Sequence, residues 1–268
     1  MRQILFNYLN HYYHLSLCIC LLTAVTFHYA GSNPDWKYSV WTGLATFLLY
    51  NYHSVLTLNK KELLSLVRTN IPFISLFILS GLVGLILLPH RLVAFGFFVS
   101  ALIICILYFR RGIVNNKAGR DHYLLKPLMI GVVFGILTAL MPYLQSGYSI
   151  YESILLTIGR VVFILVLAII FDIGQVSEYE PTTEPTLPQK IGIVKTKIIA
   201  IFLLMIAAII EGYGAWIFLL EFSVYMSFVI AWFFTFLLII FAGPQKKKWY
   251  YLLLVDGMML IPYFLAHI

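Results

Sequence analysis

The segments "IIAIFLLMIAAII", residues 198–210, and "AWFFTFLLIIF", residues 231–241, are two of many long apolar runs spread over the whole chain. About 20 such residues form a helix long enough to cross ~30 Å of hydrocarbon, where every backbone N–H and C=O must be paired inside the segment. Of the 268 residues 62% are hydrophobic and only 11% charged, which excludes an ordinary soluble domain. The expectation is an all-α, polytopic membrane protein forming a single integral domain over residues 1–268.

Charge, proline and glycine breaks divide the chain into nine expected spans: His14–Gly31, Tyr38–Leu58, Asn70–Leu88, Leu92–Phe109, Leu124–Leu144, Ile150–Phe171, Lys197–Tyr213, Trp216–Phe241 and Trp249–His267. In "EGYGAW" one acid and two glycines are taken to end the seventh helix. The first run follows a segment whose one basic residue is Arg2, a poor start for a cleaved signal peptide. Cys18, Cys20 and Cys105 lie inside apolar runs without ligand spacing and read as core residues.

Fourteen Lys and Arg residues fall in the loops after the second, fourth, sixth and eighth spans, among them Lys60, Arg110, Lys126, Lys190 and Lys247. The other loops hold Lys37 and Arg91. By the positive-inside rule the basic loops face the cytoplasm, so the N-terminus is expected inside and the C-terminus outside a bacterial inner membrane. This clustering explains the net charge of +7 without a nucleic-acid partner.

The same orientation brings two polar segments to one side. "YNYHSV", Tyr50–Val55, ends the second span, and "FDIGQVSEYEPTTEPTLPQKIG", Phe171–Gly192, ends the sixth. Asp172 either solvates a helix end or binds a ligand; Asn51 either belongs to the same site or ties two helices together. Glu178, Glu180 and Glu184 occupy a Pro/Thr/Glu-rich loop that favours solvation over metal ligation.

The second segment, with its Asp-containing helix end and a downstream Thr-Leu-Pro followed by Gly, resembles the second aspartate-rich region of UbiA-type intramembrane prenyltransferases. The helix count, the polar segment after the second span, "LKPLMIGVVFGILTALMP" and "WYYLLLVDGMMLIPYF" extend the likeness to a divergent bacterial branch over most of the chain. The resemblance implies a UbiA-like bundle that transfers a prenyl group from prenyl diphosphate to a lipophilic, aromatic or quinone-like acceptor. It implies Asn51, Tyr52, Asp172 and Gln175 as substrate-binding residues, and Asp172, Glu178 and Glu180 as ligands of Mg²⁺, a hard cation that takes oxygen donors.

The chain departs from the family where the metal is held. The first motif, Asn-Asp-x-x-Asp-x-x-x-Asp, is represented by Asn51 followed by Tyr52, with Val55 and Asn59 at its later acidic positions. Gly174 and Gln175 stand where relatives carry Arg-Asp, and Pro185 precedes Thr-Leu-Pro. These departures keep open a non-enzymatic lipid- or quinone-binding protein; charges inside the spans keep open a small transporter. Arg160, within the sixth span, is expected to pair with Glu221 or Asp256, since an unpaired charge at the bilayer centre costs at least ~2.5 kcal/mol.

Overall fold

The computed structural model describes residues 12–56, 96–97, 99–101, 103–104, 123–178, 185–218 and 221–266. Every regular element among them is helical. In chain order these are α1 (Tyr13–Tyr29), α2 (Trp36–Leu56), α3 (Leu125–Gln145), α4 (Ile150–Gly174), α5 (Leu187–Ile191), α6 (Ile193–Ile217), α7 (Phe222–Phe241) and α8 (Ile261–Ala266). A 3₁₀ turn, Gln175–Glu178, follows α4, and a π-helical segment, Tyr250–Val255, precedes α8. Among the described residues four helices, α3, α4, α6 and α7, are long and apolar enough to cross a membrane. The expected third span and most of the fourth lie outside the described residues.

Side-chain exposure on α6 fits a lipid solvent. Val194, Ile198, Phe202, Met205, Ile209, Tyr213 and Trp216 are all exposed and recur every three or four residues along the helix. One face is thus apolar and uncovered from end to end, an arrangement that water penalises and hydrocarbon does not. The opposite face, with Ala200, Leu204 and Ala207, is buried in the core formed with Leu156, Phe163 and Ile170 of α4 and Phe228 of α7.

The antiparallel hairpin of α3 and α4 positions the candidate site. Gly131 and Gly135 form a Gly-x-x-x-Gly face on α3: a Cβ at Gly131 would lie 2.9 Å from the Val161 carbonyl oxygen, and one at Gly135 would overlap the Val161 side chain. Small residues allow this approach, which in a membrane supplies the packing that water supplies elsewhere through hydrophobic burial. Beyond Gly135, α3 widens into a π turn over Ile136–Leu140. Pro142 accounts for it, because proline lacks the N–H that would bond the carbonyl four residues back and its ring displaces that carbonyl. Tyr38 donates to the Leu137 carbonyl at 3.0 Å, which ties α2 to the widened turn. The connection closes on a reciprocal cap: Ser149 N donates to Glu152 Oε2 at 2.7 Å and Glu152 N to Ser149 Oγ at 3.3 Å.

Two expected boundaries are corrected. "EGYGAW" does not end a helix; α6 runs through it to Ile217, and the break falls between α6 and α7 instead. Glu211 remains helical because it faces Arg160 of α4, and Gly212 and Gly214 are sites of close approach, by the Tyr225 hydroxyl and the Leu156 side chain. The expected last span is likewise not continuous: the π-helical segment, a turn at Met258–Leu260 and α8 take its place.

Basic residues gather at one end of the bundle. Lys126 meets the end of α4, Lys190 covers the Tyr123 ring, and Lys197 Nζ donates to the Ile240 carbonyl at 2.7 Å near the end of α7. At the other end Glu221 N donates to the Tyr29 carbonyl and Ser32 bonds Ser146. Single cysteines replacing Lys190 and Lys247 in an otherwise cysteine-free chain are therefore expected to share one labelling side, and one replacing Tyr151, which is exposed, the other. Impermeant maleimide labelling of intact cells and of inverted vesicles checks this; equal labelling of all three from one side contradicts it.

Candidate functional site

At the basic end, three side chains form one cluster. Asp172 sits in the last turn of α4 and is 1% exposed, while Lys126, in the first turn of α3, is 25% exposed. Lys126 Nζ donates to Asp172 Oδ1 at 2.6 Å and to Gln175 Oε1 at 2.9 Å. The second carboxylate oxygen, Asp172 Oδ2, is buried without a hydrogen-bond partner. The antiparallel hairpin dictates the meeting: the start of α3 and the finish of α4 come to one level, and Pro127, tolerated in a first helical turn, sets Lys126 there.

Aromatic rings pack near this cluster, at the end of α4 and just before α3. A Cβ at Gly174 would overlap the Tyr251 ring, so that ring lies directly on the end of α4; it also packs against Phe171 with centroids 6.0 Å apart. Tyr251 is fixed in turn by donating to the Gly243 carbonyl at 2.8 Å. Just before α3, Lys190 Nζ stands 3.9 Å from the centroid of the Tyr123 ring, a cation–π contact at a residue three positions before Lys126. A further polar tie is made by Gln189, whose Oε1 accepts from Thr186 N at 2.6 Å and closes the first turn of α5. Replacing Gly174 by Val is expected to displace Tyr251 and destabilise the protein by about 1–3 kcal/mol. Denaturation in mixed micelles measures it, and an unchanged midpoint would contradict this packing.

Of the expected substrate-binding residues, Asp172 and Gln175 are brought together through Lys126, which had read as a loop charge. Asn51 and Tyr52 lie in the backbone of α2, and their side chains fall outside the described residues, so the expected approach of Asn51 to Asp172 does too. Their neighbour Tyr50 stacks on Phe134 of α3 at 6.3 Å and 10°, which brings that part of α2 against α3. Of the expected metal ligands, Glu178 lies in the 3₁₀ turn with its side chain outside the described residues, and Glu180 is outside them altogether.

A Mg²⁺ pair requires several oxygen donors turned toward one point. Asp172 Oδ2 is one free donor, but Oδ1 and Gln175 Oε1 are both held by Lys126. Among the described residues no three His, Cys, Asp or Glu side chains gather where a metal could sit. The described donor set does not fit such a pair. Among the described side chains of this cluster, the cation is the Lys126 ammonium.

A second buried polar centre lies 12 residues earlier on α4, about 18 Å along the helix axis. Arg160 and Glu211 are 1% and 2% exposed, with Nε and Oε1 3.5 Å apart. Arg160 Nη1 donates to Thr26 Oγ1 at 3.0 Å, and its guanidinium carbon lies 4.4 Å from the Phe228 ring centroid. Arg160 thus joins α1, α4, α6 and α7. The expected pairing with Glu221 or Asp256 is corrected: Glu221 is an exposed residue preceding α7, whereas Glu211 projects from the face of α6 that packs on α4. A Cβ at Gly159 would overlap the Glu211 side chain, so that glycine leaves the room in which the acid reaches its partner.

Sequence reasoning missed Lys126, the Gly131/Gly135 pair and the Arg160–Glu211 contact. "LKP" at a helix start and Gly-x-x-x-Gly in an apolar run were available signals for the first two. Compared with protein-family models, curated proteins and solved structures, the chain matches none.

Proposed function

We propose that the protein is a UbiA-like integral membrane protein that holds a prenyl diphosphate at the Lys126 cluster and transfers its prenyl group to a lipophilic, aromatic or quinone-like acceptor. The observation that carries this reading is an ammonium fixed at the membrane-surface end of a hairpin, by a buried carboxylate at 2.6 Å and an amide oxygen at 2.9 Å, with apolar helices below it. An amphiphile with an anionic head and an apolar tail suits that polarity gradient. Bilayer orientation follows from the basic end facing the cytoplasm.

In the reaction, the C1–O bond of the prenyl diphosphate breaks with its electron pair passing to the diphosphate. The acceptor forms the new bond to C1 and loses a proton to the released diphosphate. Lys126 stabilises the charge that accumulates on the leaving oxygens, a charge-assisted contact that strengthens as the bond breaks. Phe171 and Tyr251, which pack on one another at the end of α4, are the rings that would face the allylic cation in this reading.

A second reading, retention of the lipid without transfer, is favoured by the pairing of Asp172 with Lys126, which removes this carboxylate from a simple metal-ligand role. Incubating purified protein in nanodiscs with radiolabelled farnesyl diphosphate and a lipid extract as acceptor source decides between them. Transfer predicts label in a new acid-stable lipid and release of diphosphate. Bound label recovered wholly as farnesyl diphosphate supports retention.

A further inference from the structure

We propose that the site recognises the phosphate-bearing head of its lipid with lysines and without a metal, and that Asp172 acts as a counter-ion that competes with the head for Lys126. The inference rests on the prenyl-diphosphate reading above and deepens it.

Lys126 is the sole described partner of the Asp172 carboxylate, and it approaches from the accessible side: it is 25% exposed against 1% for the acid. Its other contact among the described residues, Gln175, is an exposed side chain that an incoming oxygen can replace. Lys190 holds a second ammonium over Tyr123, three residues before Lys126 in the turn that leads into α3, and is itself exposed. Two cations therefore flank one helix start at the level where a lipid head meets water. A phosphate carries enough oxygens to engage both, and among the described residues the partners of the two ammonium groups are a shared carboxylate and amide for Lys126 and an aromatic ring for Lys190.

The consequence separates this reading from carboxylate-held Mg²⁺. If Asp172 serves to ligate a metal, removing its charge abolishes head binding. If it restrains Lys126, the same change releases the ammonium and binding strengthens. The two outcomes have opposite sign, so one conservative substitution distinguishes them.

The test is equilibrium binding of farnesyl diphosphate to the full chain in phosphatidylcholine nanodiscs, in EDTA and in Mg²⁺, for the unaltered protein, Lys126→Met, Lys126→Arg, Lys190→Met and Asp172→Asn. Near-native helical circular dichroism and a monodisperse elution peak are required of each variant. The expected results are affinity in EDTA within about twofold of that in Mg²⁺ and a loss of about tenfold or more in Lys126→Met. Lys126→Arg keeps most of the affinity, Lys190→Met loses about threefold, and Asp172→Asn gains about threefold. Inorganic diphosphate and farnesol measure the head and the tail separately. Competition by phosphatidylglycerol in the disc, matching farnesyl diphosphate, would show that an ordinary anionic lipid head is the ligand and retain the lysine mechanism.

Binding that requires Mg²⁺ and is lost in Asp172→Asn overturns the counter-ion role while leaving the prenyl-diphosphate reading intact. Absence of binding of farnesyl diphosphate, inorganic diphosphate and phosphatidylglycerol under every condition overturns both.

Discussion

Arg160→Leu is expected to lower unfolding free energy by about 3–5 kcal/mol, because it leaves Glu211 as an uncompensated charge at 2% exposure. Glu211→Leu is expected to cost a similar amount by leaving the guanidinium with Thr26 and the Phe228 ring alone. The double variant replaces an ion pair by packed hydrocarbon, a change that is often neutral or stabilising, so it should recover most of the loss. A double-mutant cycle by equilibrium denaturation in mixed micelles measures the coupling, expected at about 2 kcal/mol or more. Arg160→Leu combined with Glu221→Leu should instead be additive, since Glu221 precedes α7 at the surface. Additivity in the Arg160/Glu211 cycle would contradict the geometry described here.

The second large effect is expected on the α3–α4 hairpin. Gly131→Leu places a side chain where a Cβ alone already falls 2.9 Å from the Val161 carbonyl and 3.4 Å from Leu165 Cβ. Backbone cannot yield as a flexible side chain can, so α3 must separate from α4, at a cost of about 1–3 kcal/mol or more. Separation also pulls Lys126 from Asp172, since these are the residues that the close crossing brings to one level. A Lys126→Cys/Asp172→Cys pair joined by a short bifunctional thiol reagent, which spans the length of the lost lysine side chain, reports this: the Gly131→Leu background should slow the cross-linking severalfold, whereas Leu128→Ala, at an exposed position of the same helix, should not. Unchanged cross-linking would show that the glycine crossing does not set the site.

The helical membrane architecture was legible because hydrocarbon imposes long apolar helices, and α1, α3, α4 and the body of α7 fall close to the runs read from sequence. Helix breaks were less legible. Glu211 and its neighbouring glycines carry the composition of a loop, yet the acid is paired across the bundle and the glycines accept close neighbours; neither fact is visible without α4 beside α6. At the site, Asp172 and Gln175 were legible as a polar helix end, but Lys126 was assigned to topology because a charge between apolar runs ordinarily serves that role. Its contact with Asp172 depends on the antiparallel return of α4 along α3, a tertiary relation between residues 46 positions apart.

The proposed docking of a lipid diphosphate head where α3 begins and α4 ends has a direct test. The most direct measurement is photocrosslinking with a prenyl diphosphate analogue bearing a diazirine near its head, followed by peptide mapping of the labelled full chain. The account predicts label concentrated on peptides spanning Tyr123–Ile130 and Phe171–Val176, displaced by excess farnesyl diphosphate and diminished in Lys126→Met. Label concentrated around Trp216–Glu221 at the opposite end of the bundle, or insensitive to competitor, would contradict it.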